Sequence, residues 1–528
     1  MNRSPSAVLS AALALAASAA LAVPHAAAQG AAAPPPAVRG TLSLQEAAAT
    51  ITPADVYSRI EFLASDFLRG RNTPSPELEI AASYLVNQHR LFGLQPGGER
   101  GSYYQWYPYP MRRLSAAGAR MEIAGRGAPQ TLRYGRDFFA VGGTEQPIAS
   151  AAMVYAGRGA DDALAAGSMT GRVVVVSLPG ASNRDWRRER TRQRAAAQRA
   201  GAAAVVHVLD ASWTADSIAK YAAPATRGAR TLGGAIAYPQ FMITHEAATR
   251  MFAGAGTPLA RLAARGAAAS FRPAPLAGVT ASLALPQEEM DRARAPNVIA
   301  ILPGSDPVLR NEYVVISAHM DHVGVGQPVN GDSIYNGADD DASGTTGLLE
   351  VAQALSMMRD RPRRSIAFVH VSGEEKGLLG SEWFSEHPTI PLARIVANVN
   401  VDMIGRNNPD SVVVIGKNYS SLGALADRVQ AAHPELHLTL SDDLWPEEQF
   451  FFRSDHYNFA RKEIPSIFFF SGVHADYHRP SDHVEKIDTD KVARISRMVL
   501  YLTTEIANAA ERPRWDPKGL EAVRAMTR

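Results

Sequence analysis

The sequence predicts an α/β protein whose main unit is a mostly parallel central sheet flanked by helices, with a smaller β-rich α/β unit inserted into it. Three observations carry this. From Asn297 onward, short apolar runs of strand length alternate with longer amphipathic runs, as in parallel strands joined by covering helices. Between about 144 and 285 the texture changes to short β-type runs, such as Val173-Val174-Val175-Val176, set among Ala/Gly-rich stretches. Finally, 528 residues with 46% hydrophobic content exceed what one core holds, since single cores stop growing near ~250 to 300 residues.

Taken in order, residues 1–28 place Arg3 before an Ala/Leu-rich stretch and Ala26-Ala27-Ala28, the charged, apolar, small-residue order of a secretory signal. Export to the periplasm or beyond is therefore expected, with no membrane-spanning segment left after cleavage. Residues 29–40, around Pro34-Pro35-Pro36, have too little apolar surface to order themselves and read as a linker. Residues 41–143 are expected to begin the main unit. They hold amphipathic helices over 55–68, with Ile60, Leu63 and Leu68 on one face, and over 77–91, stopped by Gly93 and Pro96. Residues 144–285 form the inserted unit and 286–528 the remainder of the main one. In the latter, strands are expected over 297–302, 313–317, 365–371, 395–401, 411–415 and 466–470. Helices are expected over 344–358, 420–432 and 489–507, the last with Val492, Ile495, Val499, Leu502 and Ile506 on one stripe.

Composition excludes several classes. The formal charge is +2, which advertises no nucleic-acid or acidic-lipid partner. There is no cysteine, so disulfides, thiolate metal ligands and a Cys nucleophile are all excluded. Any metal must sit on histidines and carboxylates.

In an open α/β sheet ligands gather beyond the carboxyl ends of the strands, and here nearly every apolar run ends in a metal-ligand type. The first leads to His319-Met320-Asp321, the next to Glu374-Glu375, the next to Asp402, and the Phe468-Phe469-Phe470 run to His474 and His478. Gly337-Ala338-Asp339-Asp340-Asp341 precedes a helix. Carboxylates a few Å apart raise one another's pKa unless a cation intervenes. His with Asp and Glu suits zinc, and a shared carboxylate can hold two ions within ~4 Å. His319 and Asp321 are two apart, so on a continuing strand Asp321 can orient the imidazole. Glu374 and Glu375 are adjacent and point differently, so one can bind metal while the other takes a proton. Spacing alone does not say which, nor which of the three consecutive aspartates is the ligand.

His319-Met-Asp321, Gly337-Ala-Asp-Asp-Asp-Ala-Ser-Gly344, Glu374-Glu375-Lys-Gly377, Asn400-Val-Asp402-Met and Tyr477-His478-Arg-Pro-Ser-Asp482 resemble, in order, the motifs of the co-catalytic zinc aminopeptidases related to glutamate carboxypeptidase. Ser454-Asp455-His456 and Leu63-Ala-Ser-Asp-Phe-Leu-Arg-Gly-Arg71 also match. The resemblance covers the mature chain and implies a zinc-exopeptidase fold and peptide substrates. It implies two Zn²⁺ per chain, one on His319, Asp340 and Asp402 and one on Asp340, Glu375 and His478. Glu374 would be the general base, Asp321 the partner of His319, and Tyr477 a phenolic donor to the oxyanion. The stretch from Gly171 to Val206 resembles the protease-associated domain of exported peptidases. An acidic-tail carboxypeptidase, drawing on Arg453 and Arg479, and a glutaminyl cyclase are the alternatives within the same superfamily.

Other signals weigh less. His433-Pro-Glu-Leu-His437 has a displaced Glu and a Pro that opposes a helical zinc motif. Ser217-Ile-Ala-Lys220 lacks any Lys-Thr-Gly companion. His322, His370, His456, His474 and His483 read as supporting groups, and the arginines from Arg184 to Arg199 as a solvated helix face.

Overall fold

The computed structural model describes residues 40–527, apart from 160–163, 181, 184, 255, 257 and 269. The expected signal, nearly all of the linker and Arg184 lie outside the described residues. The main unit is a nine-stranded sheet. Its principal strands are β1 (Arg294–Leu302), β2 (Tyr313–His319), β3 (Ser365–Val371), β4 (Ile395–Val401), β5 (Ser411–Ile415), β6 (Thr439–Ser441) and β7 (Ser466–Phe470), set side by side as β1-β3-β2-β4-β7-β5-β6. The central four, β3, β2, β4 and β7, run parallel; β1 and β5 flank them antiparallel. Beyond β1 lie Gln95–Pro96 and Tyr104–Pro108, both antiparallel to it.

Every residue of β3 and β4 is buried, because helices cover both faces. Such strands therefore read as continuous apolar runs rather than alternations. On one face lie α1 (Leu44–Ala49), α2 (Pro53–Leu63), α3 (Pro76–Leu91), α4 (Gly344–Ser356), α5 (Ser421–Ala432) and α6 (Thr489–Asn508), and on the other the helices Leu379–Glu386 and His456–Ala460 bring Phe384 and Phe459 against the strands. In α2 the Thr52 side chain accepts from Asp55 N and Pro53 fills the first turn, where its missing N–H costs nothing. α6 buries Val492, Ile495, Val499, Leu502 and Ile506 and packs on α4, α2 and α5. One core unites these helices with the central strands.

Two elements differ from expectation. The helix expected over 55–68 stops at Leu63; a short 3₁₀ turn, Asp66–Leu68, follows. Arg69, Gly70 and Arg71 then take φ of 43°, 69° and 47°, which turns the chain sharply. The strand expected over 313–317 runs on to His319, because Ala318 and His319 pair with His370 and Val371.

A second sheet of eight strands has its own core. From Ile148–Tyr155 through Val173–Ser177 and Ala204–Val208 to Gln240–Ile243 its strands are parallel. Residues 120–141, expected with the main unit, supply Arg120–Ala124, Gln130–Leu132 and Phe138–Val141 to this second sheet. Their buried Met121, Ile123, Leu132 and Phe138 pack into its core. The Arg-rich helix Trp186–Arg199 covers the sheet; Arg187 lies over the rings of Trp186 and Tyr221 rather than standing free. Among the described residues no helix is long and apolar enough to cross a membrane.

Candidate metal centre

The four parallel strands deliver their acidic and imidazole groups at one edge. β2 ends in His319, β3 leads to Glu374 and Glu375, β4 to Asp402 and β7 to His474 and His478. The turn before α4, Ala338–Ser343, lies against them, with the Asp340–Asp341 peptide cis.

This turn sorts the three aspartates. Asp339 Oδ1 accepts from Gly405 N at 2.6 Å, and its Oδ2 lies 3.2 Å from His474 Nε2. Asp341 accepts from His319 N, Gly344 N and Met403 N at 2.9 to 3.1 Å. Both are committed to holding loops. Of the three, Asp340 alone faces His319 and His478: Oδ1 is 3.2 Å from His319 Nε2 and Oδ2 is 3.1 Å from His478 Nε2. Asp482 fixes it from below by accepting from the Asp339 and Asp340 N–H groups at 3.0 and 3.3 Å.

Around Asp340 two clusters form. Asp402 Oδ1 is 3.5 Å from His319 Nε2, while its Oδ2 accepts from Ser454 at 2.8 Å. Ser454 in turn accepts from Asn400, whose Oδ1 accepts from Ser317 at 2.6 Å. On the other side Glu375 Oε2 is 3.0 Å from His478 Nε2, and Oε1 is 2.8 Å from His322 Nδ1. His319, Asp340 and Asp402 form one group with donor atoms within 4.8 Å of one another, and His322, Asp340 and Glu375 another. His322 is fully buried and belongs here, although the sequence gives it only as a supporting residue. Its position beside Asp321 was the available signal.

The donor set fits a divalent metal. Asp340 Oδ2, Asp402 Oδ1 and Glu375 Oε1 are buried with no aligned hydrogen-bond donor among the described residues, although such atoms are ordinarily satisfied. Burial raises the pKa of Asp402, and raises Glu374 well above the usual carboxylate range, with Asp455, Asp402 and Glu375 adding to it. Glu375 goes the other way, down to about 2, because His322 and His478 outweigh burial and the repulsion of Asp340. Nitrogen and carboxylate donors without sulfur are a zinc set.

Asp321 stands beside His319 and reaches a second loop as well. Its carboxylate accepts from Thr73 at 2.9 Å and from Glu374 N at 3.3 Å, and stands 3.7 Å from His319 Nδ1. The nearer partner of that nitrogen is the Asp321 backbone carbonyl, at 3.1 Å. Tyr477 stacks on the His478 ring at 3.9 Å and lines the cleft with His319, Asp340, Glu374 and Asp402. Burial and the neighbouring carboxylates push its phenol up, so it stays protonated. Arg453 borders the same cleft but lies 4.6 Å over the Phe450 ring and 3.1 Å from Glu448; Arg479 does not line it. His433 stacks on Tyr501 and pairs with Glu435, away from the centre.

A family model described as peptidase family M28 matches residues 297–503. The match covers less than half of the chain and falls wholly within the main unit. The M28 segment contains β2, β3, β4 and β7, and with them the three acids and two histidines of the expected ligand set. A protein named probable leucine aminopeptidase, from Arthroderma benhamiae, is 27% identical over 222 residues, which are 40% of this chain and 58% of that one. The chain thus spans little more than half the length of that relative. Among solved structures, an aminopeptidase from Aneurinibacillus sp. strain AM-1 is 20% identical with a TM-score of 0.47, covering 89% of this chain and 97% of the other. A zinc aminopeptidase from Bacillus subtilis is 18% identical with a TM-score of 0.44, covering 86% and 95%.

Proposed function

We propose that the protein is an exported exopeptidase that removes N-terminal residues from peptides with two zinc ions. One zinc would sit on His319, Asp340 and Asp402 and the other on Asp340, Glu375 and His478. The observation that carries this reading is Asp340: it faces His319 and His478 at 3.2 and 3.1 Å through different oxygens, as a bridging carboxylate must. When bound, the zinc pair supplies a Lewis acid that polarises the scissile carbonyl and lowers the pKa of water.

The chain's own groups do the rest. Glu374, at the cleft wall beside His319, Asp340 and Asp402, takes the proton of the attacking water and returns it to the departing amine. Asp321 holds the Glu374 backbone N–H at 3.3 Å, which fixes where that base stands. Protonated Tyr477, at the cleft wall, donates to the developing oxyanion. Among the described residues that line the cleft the one cation is Arg453, paired with Glu448 and lying over Phe450, and this favours the aminopeptidase over the carboxypeptidase. The second sheet is read as an inserted protease-associated domain, and the Arg3 to Ala28 segment as the export signal.

Purified protein assayed on aminoacyl anilides should turn over, and a chelator should abolish the turnover. N-acetylated peptides should resist it and C-amidated ones should not; the reverse pattern would make it a carboxypeptidase. Glu374→Gln should lower kcat by about a thousandfold or more, on the order of a lost proton-transfer group, while retaining zinc. Turnover within tenfold of wild type would sink the assigned role of Glu374.

A further inference from the structure

The M28 segment begins at residue 297, yet the centre is tied together from far upstream. Arg71 and Thr73 follow the sharp turn after α2 and are 1% and 2% exposed. The Arg71 guanidinium makes no hydrogen bond to a carboxylate. It donates to the Met320 carbonyl at 3.0 Å, the Asn336 carbonyl at 2.7 Å, the Gly337 carbonyl at 3.1 Å and the Leu63 carbonyl. Met320 lies between His319 and Asp321, and Gly337 opens the turn that carries Asp340. One planar cation therefore clamps two ligand-bearing loops to the end of α2.

Thr73 reaches the third loop. Its hydroxyl donates to Asp321 Oδ2 at 2.9 Å and accepts from Gly373 N at 3.0 Å. Asp321 Oδ1 accepts from Glu374 N, so a closed ring of contacts joins the His319 loop to the Glu374-Glu375 loop through one side chain. A hydroxyl has a single proton, and here that proton goes to the carboxylate, which leaves the lone pair for the amide. Between the two residues, Asn72 bridges to His322, and His322 N donates to the Arg71 carbonyl at 3.4 Å.

We propose that Arg71 and Thr73 are positioning residues of the metal centre: residues 71–73 act as a strap that sets the His319, Asp340 and Glu374 loops relative to one another. The inference rests on the zinc-dependent reading above. Groups that orient metal ligands typically change metal affinity by about 10- to 100-fold, and a base displaced by a fraction of an ångström loses rate without losing substrate binding.

The test uses the purified full-length chain and zinc itself. Affinity is measured by competition with a coloured chelator, together with the rise in Tm on adding zinc, kcat and KM. Thr73→Val should weaken zinc by about tenfold or more, shrink the zinc-induced rise in Tm, and lower kcat with KM little changed. Thr73→Ser, which keeps the hydroxyl, should restore all of these. Arg71→Lys keeps the charge but cannot span four carbonyls with one planar fork, and should weaken zinc likewise. A merely structural role would lower Tm equally with and without zinc, and that outcome overturns the strap. Wild-type zinc affinity and kcat in Thr73→Val would overturn it too. Should Thr73→Val not fold, Thr73→Ala read against Thr73→Ser decides the matter by the same measurements. If the wild-type chain binds no zinc, the zinc-dependent reading itself has failed, which the variants alone could not produce.

Discussion

Asp339, Asp340 and Asp341 are chemically identical neighbours with three different tasks, and the backbone assigns them. Gly337 has φ of 62°, and a Cβ there would come within 2.2 Å of the Asp340 carbonyl oxygen. Gly337→Ala should therefore strain a left-handed residue by about 1 kcal/mol and displace Asp340 as well. The expected outcome is a lower Tm together with weaker zinc retention on dialysis; full retention would mean that the turn yields without moving the ligand. The residue types of the centre were legible in the sequence, because all but Asp340, which lies in the turn before α4, follow an apolar run at a strand's carboxyl end. The choice among adjacent acids was not legible, since it depends on which carboxylate meets a backbone N–H and which meets an imidazole. His322 reads in the sequence as a supporting group only, because nothing in its spacing announces that Glu375 lies 2.8 Å away.

At the scale of elements, burial decides what could be read. Strands β3, β4, β5 and β7 begin and end where their mostly apolar runs do, because both faces are covered. The 20-residue α6 was equally plain from its stripe. Removing buried bulk from that stripe should be costly: Leu502→Ala, at a position with no exposure, should destabilise by about 2 to 5 kcal/mol. Urea unfolding would measure this, and zinc stoichiometry should stay the same, since α6 contributes none of the expected ligands. The overrun of the helix at 55–68 came from Leu68, which keeps the helical period yet sits in a 3₁₀ turn. Periodicity cannot report the left-handed conformation of Arg69 and Arg71 that ends the regular path.

Across the whole molecule, buried neutral histidines couple folding to pH. Burial lowers His207, His370 and His456 from 6.5 to about 3, and moves His89, which touches His370 at 2.9 Å, the same way. Unfolding frees them to take up protons once the pH is below 6.5, so their stabilisation is complete above that value and is lost as pH falls toward 3. Urea midpoints should decline between about pH 6.5 and pH 4, and His207→Leu should make the decline shallower by one proton; an unchanged slope would show that His207 is not buried neutral. The change of texture near residue 144 falls inside the second sheet, whose strands begin at Arg120. The affiliation of residues 120–141 was not legible, because short amphipathic strands suit either sheet and only packing of Met121 and Phe138 into the second core decides.

Pro108 stands opposite Arg294 in register, and Tyr107 opposite Ala295. Topologically, then, everything between them hangs from one antiparallel pair, as a hairpin whose tip has grown into a folded body. The entropy of closing such a loop rises only slowly with its length. The tip can accordingly be enlarged, trimmed or resurfaced while the anchor pair keeps its register, except where Leu232 packs back onto the main core and Gly233 abuts Trp383.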